Sequence, residues 1–192
     1  MRKLYLVRHA TPNFKDDIRL CIGKTDIDIG NKGIDESKKL RDFFSKKQIN
    51  SIFSSPLSRC VSTAEIISDG KLEVNIDAGL IEIDMGEWEG IPLKDIVKEL
   101  GDEPLNGEKR VDALERMENA IIEIMNSTAG DVICVAHAGV NCAFIAKVIG
   151  ADIKTSRAIR QPYASYSCFE YENFEFKCLE IGILPEKESE LK

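Results

Sequence analysis

The sequence predicts an α/β protein of three layers, a mostly parallel central sheet with helices on both faces. Three observations predict it. Short apolar runs rich in strand formers alternate with segments of helical period, the order that the crossovers of a parallel sheet require. Two of those runs, 3–7 (KLYLV) and 131–136 (DVICVA), are apolar without alternation, as strands covered on both faces are. The chain's two histidines, His9 and His137, each stand where such a run gives way to a small-residue turn. That is the carboxyl end of a strand, where sheets of this kind bind ligands.

Each element has its own signal. Residues 3–7 read as a first, central strand. In 31–47 the positions Ile34, Ser37, Leu40, Phe43 and Phe44 recur at helical spacing with charges between them, an amphipathic helix. Residues 50–55 (NSIFSS) read as a second strand. Ser55 as N-cap and Pro56 at the first helical position then open a helix with the stripe Leu57, Val61, Ala64 and Ile67. Residues 72–76 (LEVNI) form a short third strand. The segment 79–93 mixes glycines, acids and the single Trp88, and reads as a functional loop with Trp88 anchoring it. Val111, Leu114, Met117, Ile121, Ile122 and Met125 mark a helix ended by Gly130, followed by the buried strand at 131–136 and a helix over 140–149 closed by Gly150. Two alternating runs, 165–173 and 175–182, joined at Asn173 and Phe174, read as an edge hairpin. One domain over 1–184 is expected, with 185–192 a charged, frayed tail.

Bulk properties narrow the function. With 192 residues, 43% hydrophobic, the chain can bury one substantial core. A net charge of -7 and a pI near 5.0 exclude a nucleic-acid footprint, so any phosphate site must be local. Six cysteines are scattered without a C-x-x-C pair, which fits a reducing compartment. No apolar stretch reaches membrane-spanning length, and the first residues lack a leader's apolar core. A soluble, cytoplasmic protein with no membrane or nucleic-acid partner is the expectation.

Arg8 and His9 follow the first strand, Arg59 sits one turn into the helix after the second, and His137 follows the strand 131–136. By the carboxyl-end rule all converge on one rim, where the helix after His137 can aim free N–H groups at an anion across Ala138 and Gly139. Such a positive pocket on an acidic protein suits a phosphate monoester.

Four motifs in order, LVRHATP, SSPLSRCVSTAEII, LIEIDMGEWEG and VAHAGV, resemble those of the histidine phosphatase superfamily, the phosphoglycerate mutase-like branch with its R-H-G signature. The resemblance runs from residue 3 to about 150 and implies a phosphoglycerate mutase-like fold. It implies that His9 is the nucleophile, that Arg8, Arg59 and His137 bind phosphate, and that Glu82 is the proton donor; no metal or cofactor is implied. Neighbouring cations would keep the His9 imidazole neutral, as attack on phosphorus requires. Asp84 is a second carboxylate close by, and Glu82 is preferred by motif position. The chain departs from the pattern at Ala10 and Ala138, small residues where glycine is common, and at Thr11-Pro12. Asn13 is expected to reach the phosphate, and residues near Gly23 in the loop 19–33 to approach the ligand. Lys24, Arg19 and Lys109 are candidates for selecting the leaving group.

The expected activity is metal-independent hydrolysis of small-molecule phosphomonoesters through a phosphohistidine on His9. Short phosphatases of the family, α-ribazole phosphate phosphatases and broad-specificity ones, look most similar. Only 46 residues separate Gly90 from His137, too few for the insertion of the mutases. The rivals are a phosphoglycerate mutase-type phosphotransferase and a phospholigand-binding protein without turnover. Cys60 beside Arg59 lacks the C-x5-R spacing of a cysteine phosphatase, and two histidines make a poor zinc site. The edge hairpin fits pairing with a second copy, which would make a homodimer, and an ordinary covered edge equally well.

Overall fold

The structure, a computed structural model, describes residues 1–96 and 103–185. Its centre is a six-stranded sheet of β1 (Arg2–Arg8), β2 (Ile49–Ser54), β3 (Val74–Ile76), β4 (Asp131–Ala136), β5 (Tyr166–Glu172) and β6 (Glu175–Ile183), in the order β3-β2-β4-β1-β5-β6. The first four strands in that order run parallel, while β5 and β6 are antiparallel additions beyond β1.

Side-chain alternation in the central strands builds the three layers. Leu4 and Leu6 of β1, with Val132, Cys134 and Ala136 of β4, pack beneath α3 (Arg110–Ser127) and α4 (Ala138–Val148), against Met117, Ile121 and Phe144. Tyr5, Val7, Ile133 and Val135 face the opposite way, under α1 (Asn31–Phe44) and α2 (Ser58–Ser68), against Leu40, Phe44, Ala64 and Ile67. A strand with apolar residues on both faces therefore shows no period of two, and that is why β1 and β4 read as continuous runs. The hairpin joins β5 to β6 through Asn173 and Phe174, both left-handed at φ 52° and 66°, which suits the twist of a two-residue turn.

Several local expectations are corrected. Ser55 does not cap α2 and Pro56 is not its first residue: the helix starts at Ser58, with Leu57 extended before it. Its first turn is capped from a distance, since Asp26 accepts the Ser58 N–H at 2.8 Å and the Ser58 hydroxyl at 2.7 Å. The Ser55 hydroxyl is engaged elsewhere, against His137 at 2.8 Å. Helix α1 stops at Phe44, short of Lys47. In α3 the buried stripe runs through Ala113, Met117, Ala120, Ile121 and Ile124, and Val111 points to solvent. Helix α4 begins two residues earlier than expected, at Ala138. The segment 79–93 is a loop with three short 3-10 turns in and around it. From residue 186 onward the expected frayed tail lies outside the described residues.

No helix among the described residues is long and apolar enough to cross a membrane. The free ends of β2, β4 and β1 lie level, with Arg8 opposite Ala136 and Ser54 opposite Val135. The ladder continues one residue further, since His9 N–H donates to Ala136 O at 3.0 Å and Ser55 N–H to Val135 O at 3.0 Å. Three neighbouring strands thus deliver His9, Ser55 and His137 to one rim.

Candidate active site

A cavity of about 160 Å³ opens at that rim, lined among others by Arg8, His9, Glu82, Ala138, Gly139 and Tyr163. Leu20, Cys21 and Ile22 close one side, held over it by a bridge from Leu20 to Pro92 and by the Cys21 N–H donating to Ile91 O at 2.8 Å.

His9 is oriented by its own backbone. Its Nδ1 lies 2.8 Å from Ala10 O, and a carbonyl only accepts, so Nδ1 carries the proton and Nε2 keeps its lone pair. Burial, then Arg8 and Arg59, push the His9 pKa well below its usual 6.5, so the ring is neutral at physiological pH. The Arg8 guanidinium donates to Gln161 O and stacks on the Tyr163 ring at 3.8 Å. Tyr163 itself lies 5.5 Å from the His9 ring. Two backbone bonds pin this turn against the first motif: Arg8 N–H donates to Ser165 O at 2.9 Å and Ala164 N–H to His9 O at 3.2 Å. Ala164 adopts a left-handed φ of 54° there, a strain the surrounding bonds must hold.

Arg59 and His137 stand directly behind His9, fully buried, and neither lines the cavity. Arg59 donates Nη1 to Thr25 O and Nη2 to Gly23 O, both at 2.7 Å, and Nε to His137 Nδ1 at 3.2 Å. Three acceptors offset the cost of burying its charge. Because guanidinium only donates, His137 Nδ1 is unprotonated, and its Nε2–H donates to Ser55 Oγ. The His137 pKa also falls well below 6.5, by burial first and then by Arg59. The two rings meet edge to face at 5.2 Å. Cys60 packs under His137 with its thiol 3.4 Å from Nε2, and burial drives its pKa far up, so it is a protonated filler.

Glu82 faces the cavity across from His9. It accepts N–H bonds from Gly139 at 2.9 Å, Val140 at 3.0 Å and Ile83 at 2.9 Å. The group that accepts the amides at the start of α4 is therefore the Glu82 carboxyl, a correction to the expectation that those amides stand free for a phosphate. A side chain at position 139 would meet it, since a Cβ there lies 2.6 Å from Glu82 Oε1. Buried Arg110 sits beside it, with Nη1 3.5 Å from Gly139 O and a favourable charge interaction with Glu82. Asp84 lies outside the cavity, paired with Lys24 at 3.1 Å. Lys109 precedes α3 as an exposed cap residue.

Two expected ligand contacts are not brought to the site. Asn13 is exposed, its N–H donating to Asp28 O at 2.8 Å and its side chain lying against Gly30. Gly23 meets the site through its carbonyl on Arg59, and its missing side chain is required by packing: a Cβ would stand 2.2 Å from Ile83 O. Conversely, Tyr163, Arg110 and Arg157 were not singled out from sequence. Arg157 lines the cavity and lies 5.3 Å over the Trp88 ring. Among the described residues no group of three or more His, Cys, Asp or Glu could hold a metal.

Two neutral, buried histidines make stability depend on pH with a definite sign. Each takes up a proton near pH 6.5 in the unfolded chain and resists it when folded, so the stabilisation is complete above 6.5 and is lost as pH falls below it. From pH 7 to 5.5 urea melts should show a loss of about 2–3 kcal/mol from the two together. Equal stabilities at the two pH values would show that the rings protonate freely in the fold.

The model of the family described as the histidine phosphatase superfamily (branch 1) matches residues 4–183. Phosphoserine phosphatase 1 of Hydrogenobacter thermophilus is 28% identical, the alignment covering 95% of this chain and 93% of that protein. Adenosylcobalamin/alpha-ribazole phosphatase of Escherichia coli is 24% identical, over 93% of this chain and 94% of the relative. Among solved structures, a mycobacterial glucosyl-3-phosphoglycerate phosphatase in complex with VO3 superposes with a TM-score of 0.85 at 22% identity, covering 95% of this chain and 99% of that one. That likeness carries the fold: an α/β, mostly parallel six-stranded sheet with helices.

Proposed function

We propose, for a chain that belongs to the histidine phosphatase superfamily (branch 1) through its match over residues 4–183, that His9 Nε2 attacks the phosphorus of small-molecule phosphomonoesters to give a phosphohistidine. The chain is an enzyme, a phosphoric monoester hydrolase, as its named relatives are. The observation that carries the mechanism is the Nδ1–H bond from His9 to Ala10 O, which leaves Nε2 as a lone-pair nitrogen on a cavity that Glu82 shares.

In the first step Nε2 forms the P–N bond, the P–O ester bond breaks, and Glu82 gives its proton to the leaving alkoxide. The Glu82 carboxylate that results accepts N–H bonds from the Gly139 and Val140 amides. Water then yields a proton to Glu82 and attacks phosphorus, the P–N bond breaks, and phosphate leaves with His9 neutral again. Arg8 is assigned to the phosphoryl oxygens, whose developing charge its fork of donors would spread. Arg59 and His137 are assigned to supporting His9: Arg59 adds to burial and Arg8 in lowering its pKa, and His137 packs against its ring.

The leaving group belongs to a small metabolite, with phosphoserine and α-ribazole phosphate as candidates from the relatives' names. The short stretch from Gly90 to His137 favours water over a second hydroxyl as acceptor. Phosphate release should be seen from a panel of phosphoserine, α-ribazole phosphate, sugar phosphates, phosphoglycerates and nucleotides, and should persist unchanged in EDTA. Activity lost to EDTA and restored by a divalent ion would overturn the metal-independent reading. Transfer to a second hydroxyl without free phosphate would make the protein a mutase, and no reaction at all would favour a binding protein.

A further inference from the structure

A second, larger cavity of about 510 Å³ lies on the other side of Arg8 and Tyr163 from His9. Arg8 and Tyr163 line both cavities, whereas His9 and Glu82 line only the smaller. Its remaining wall comes from the start of α1, the turn before β5, Arg19, and the chain just after β6.

Five cations line it, Arg8, Arg19, Lys32, Lys39 and Arg160, against a single carboxylate, Glu36. That carboxylate is already engaged: it accepts the Thr11 N–H at 2.9 Å and the Thr11 hydroxyl at 2.7 Å. Lys32 reaches it only at 3.9 Å. Lys39 and Arg160 make no side-chain hydrogen bond or ion pair among the described residues. Arg19 lies 5.3 Å from the Tyr163 ring, and Arg8 Nε is buried without a hydrogen-bond partner. In a chain of net charge -7, such a concentration of positive charge in a concave site opposes the overall field. Like charges around one cavity repel, and an anion placed among them removes that repulsion.

We infer that this cavity is a second anion site, taking a carboxylate or phosphate group, separate from the phosphoryl site at His9 and joined to it through Arg8 and Tyr163. Two sources supply that chemistry. The anion is either the far end of the substrate, a second charged group on the leaving alcohol, or a free polyanion that bears on Arg8 from behind. In both cases the exposed Lys39 and Arg160 hold the anion, while Arg8 links the two sites. The substrate source rests on the phosphatase reading above; the site itself does not.

The test compares wild type with the double variant Lys39→Glu/Arg160→Glu, two exposed positions whose change leaves the core intact. Hydrolysis of p-nitrophenyl phosphate, which carries no second anion, should be the same in both. If the anion belongs to the substrate, a hexose bisphosphate should exceed the matched monophosphate at least tenfold in kcat/KM in wild type, and the preference should vanish in the variant. If the anion is free, citrate should change wild-type p-nitrophenyl phosphate hydrolysis saturably and leave the variant untouched. Citrate binding by calorimetry should in either case weaken at least tenfold in the variant. Equal citrate affinity in the two proteins, with no substrate preference lost, would overturn the second site. Absence of hydrolysis by both would instead remove the phosphatase reading, with calorimetry still deciding the site.

Discussion

Replacing His9 with Asn leaves a folded protein whose kcat/KM for its best ester is lowered by about three orders of magnitude or more, on the scale seen when a covalent nucleophile is removed. The size of the loss follows from the geometry. His9 supplies the nitrogen that attacks, and the other histidine, His137, does not line the cavity; Cys60 is buried behind His137 with its thiol protonated, and Cys21 belongs to the loop wall that closes one side. Asparagine retains an N–H that can replace the Nδ1 bond to Ala10 O, so the turn after β1 keeps its anchor. Incubation with a ³²P-labelled substrate and an alkaline quench, under which phosphohistidine survives, should label wild type at one site and leave His9→Asn unlabelled. Wild-type turnover in the variant, or label elsewhere, would refute catalysis through His9. The variant should also lose less stability than wild type between pH 7 and 5.5, having one buried histidine fewer to protonate.

Legibility in the sequence divided along a physical line. Signals carried by neighbours in the chain were legible. β1 and β4 lack alternation because the sheet is covered on both faces, and the turn residues at Asn173 and Phe174 mark a hairpin the structure contains. Placing Arg8, His9, Arg59 and His137 near one rim needed only strand order and the carboxyl-end rule, whereas Glu82 came from the motif resemblance alone. What escaped depends on tertiary contacts without a local trace. Tyr163 reaches Arg8 only because the turn before β5 is bonded to the backbone of Arg8 and His9. The start of α2 slips two residues because Asp26, far away in sequence, does the capping and Ser55 is drawn to His137. Arg59 reads as a phosphate ligand from its motif, and no local trace shows that three of its five N–H donors go to Gly23 O, Thr25 O and His137. Asn13 is expected to reach the phosphate from sequence but does not line the cavity; its N–H donates to Asp28 O beside the Pro12–Ile29 bridge.

Glu82→Gln should separate the two chemical steps. The amide side chain keeps an oxygen for one of the two α4 amides and sets an NH₂ against the other, a change costing about 1 kcal/mol of stability as the loss of a helix cap does. The helix survives, but there is no proton to give. For an alkyl phosphate, whose alkoxide cannot leave unprotonated, kcat should fall by about 10²–10⁴, the usual worth of a general acid. With p-nitrophenyl phosphate the phenolate leaves without help, so the first step should run at close to the wild-type rate. The second step still needs a base for water. The variant should therefore release a burst of one p-nitrophenolate per protein, followed by slow turnover, and phosphohistidine should accumulate on His9. Equal losses for both esters and no burst would show that Glu82 acts only as the cap of α4. Asp84, paired with Lys24 outside the cavity, provides the contrast: Asp84→Asn should change kcat for the alkyl ester by less than about tenfold, since a surface ion pair contributes about 1 kcal/mol or less. A burst confined to Glu82→Gln would assign the proton to the carboxylate that the N-terminus of α4 holds against the cavity.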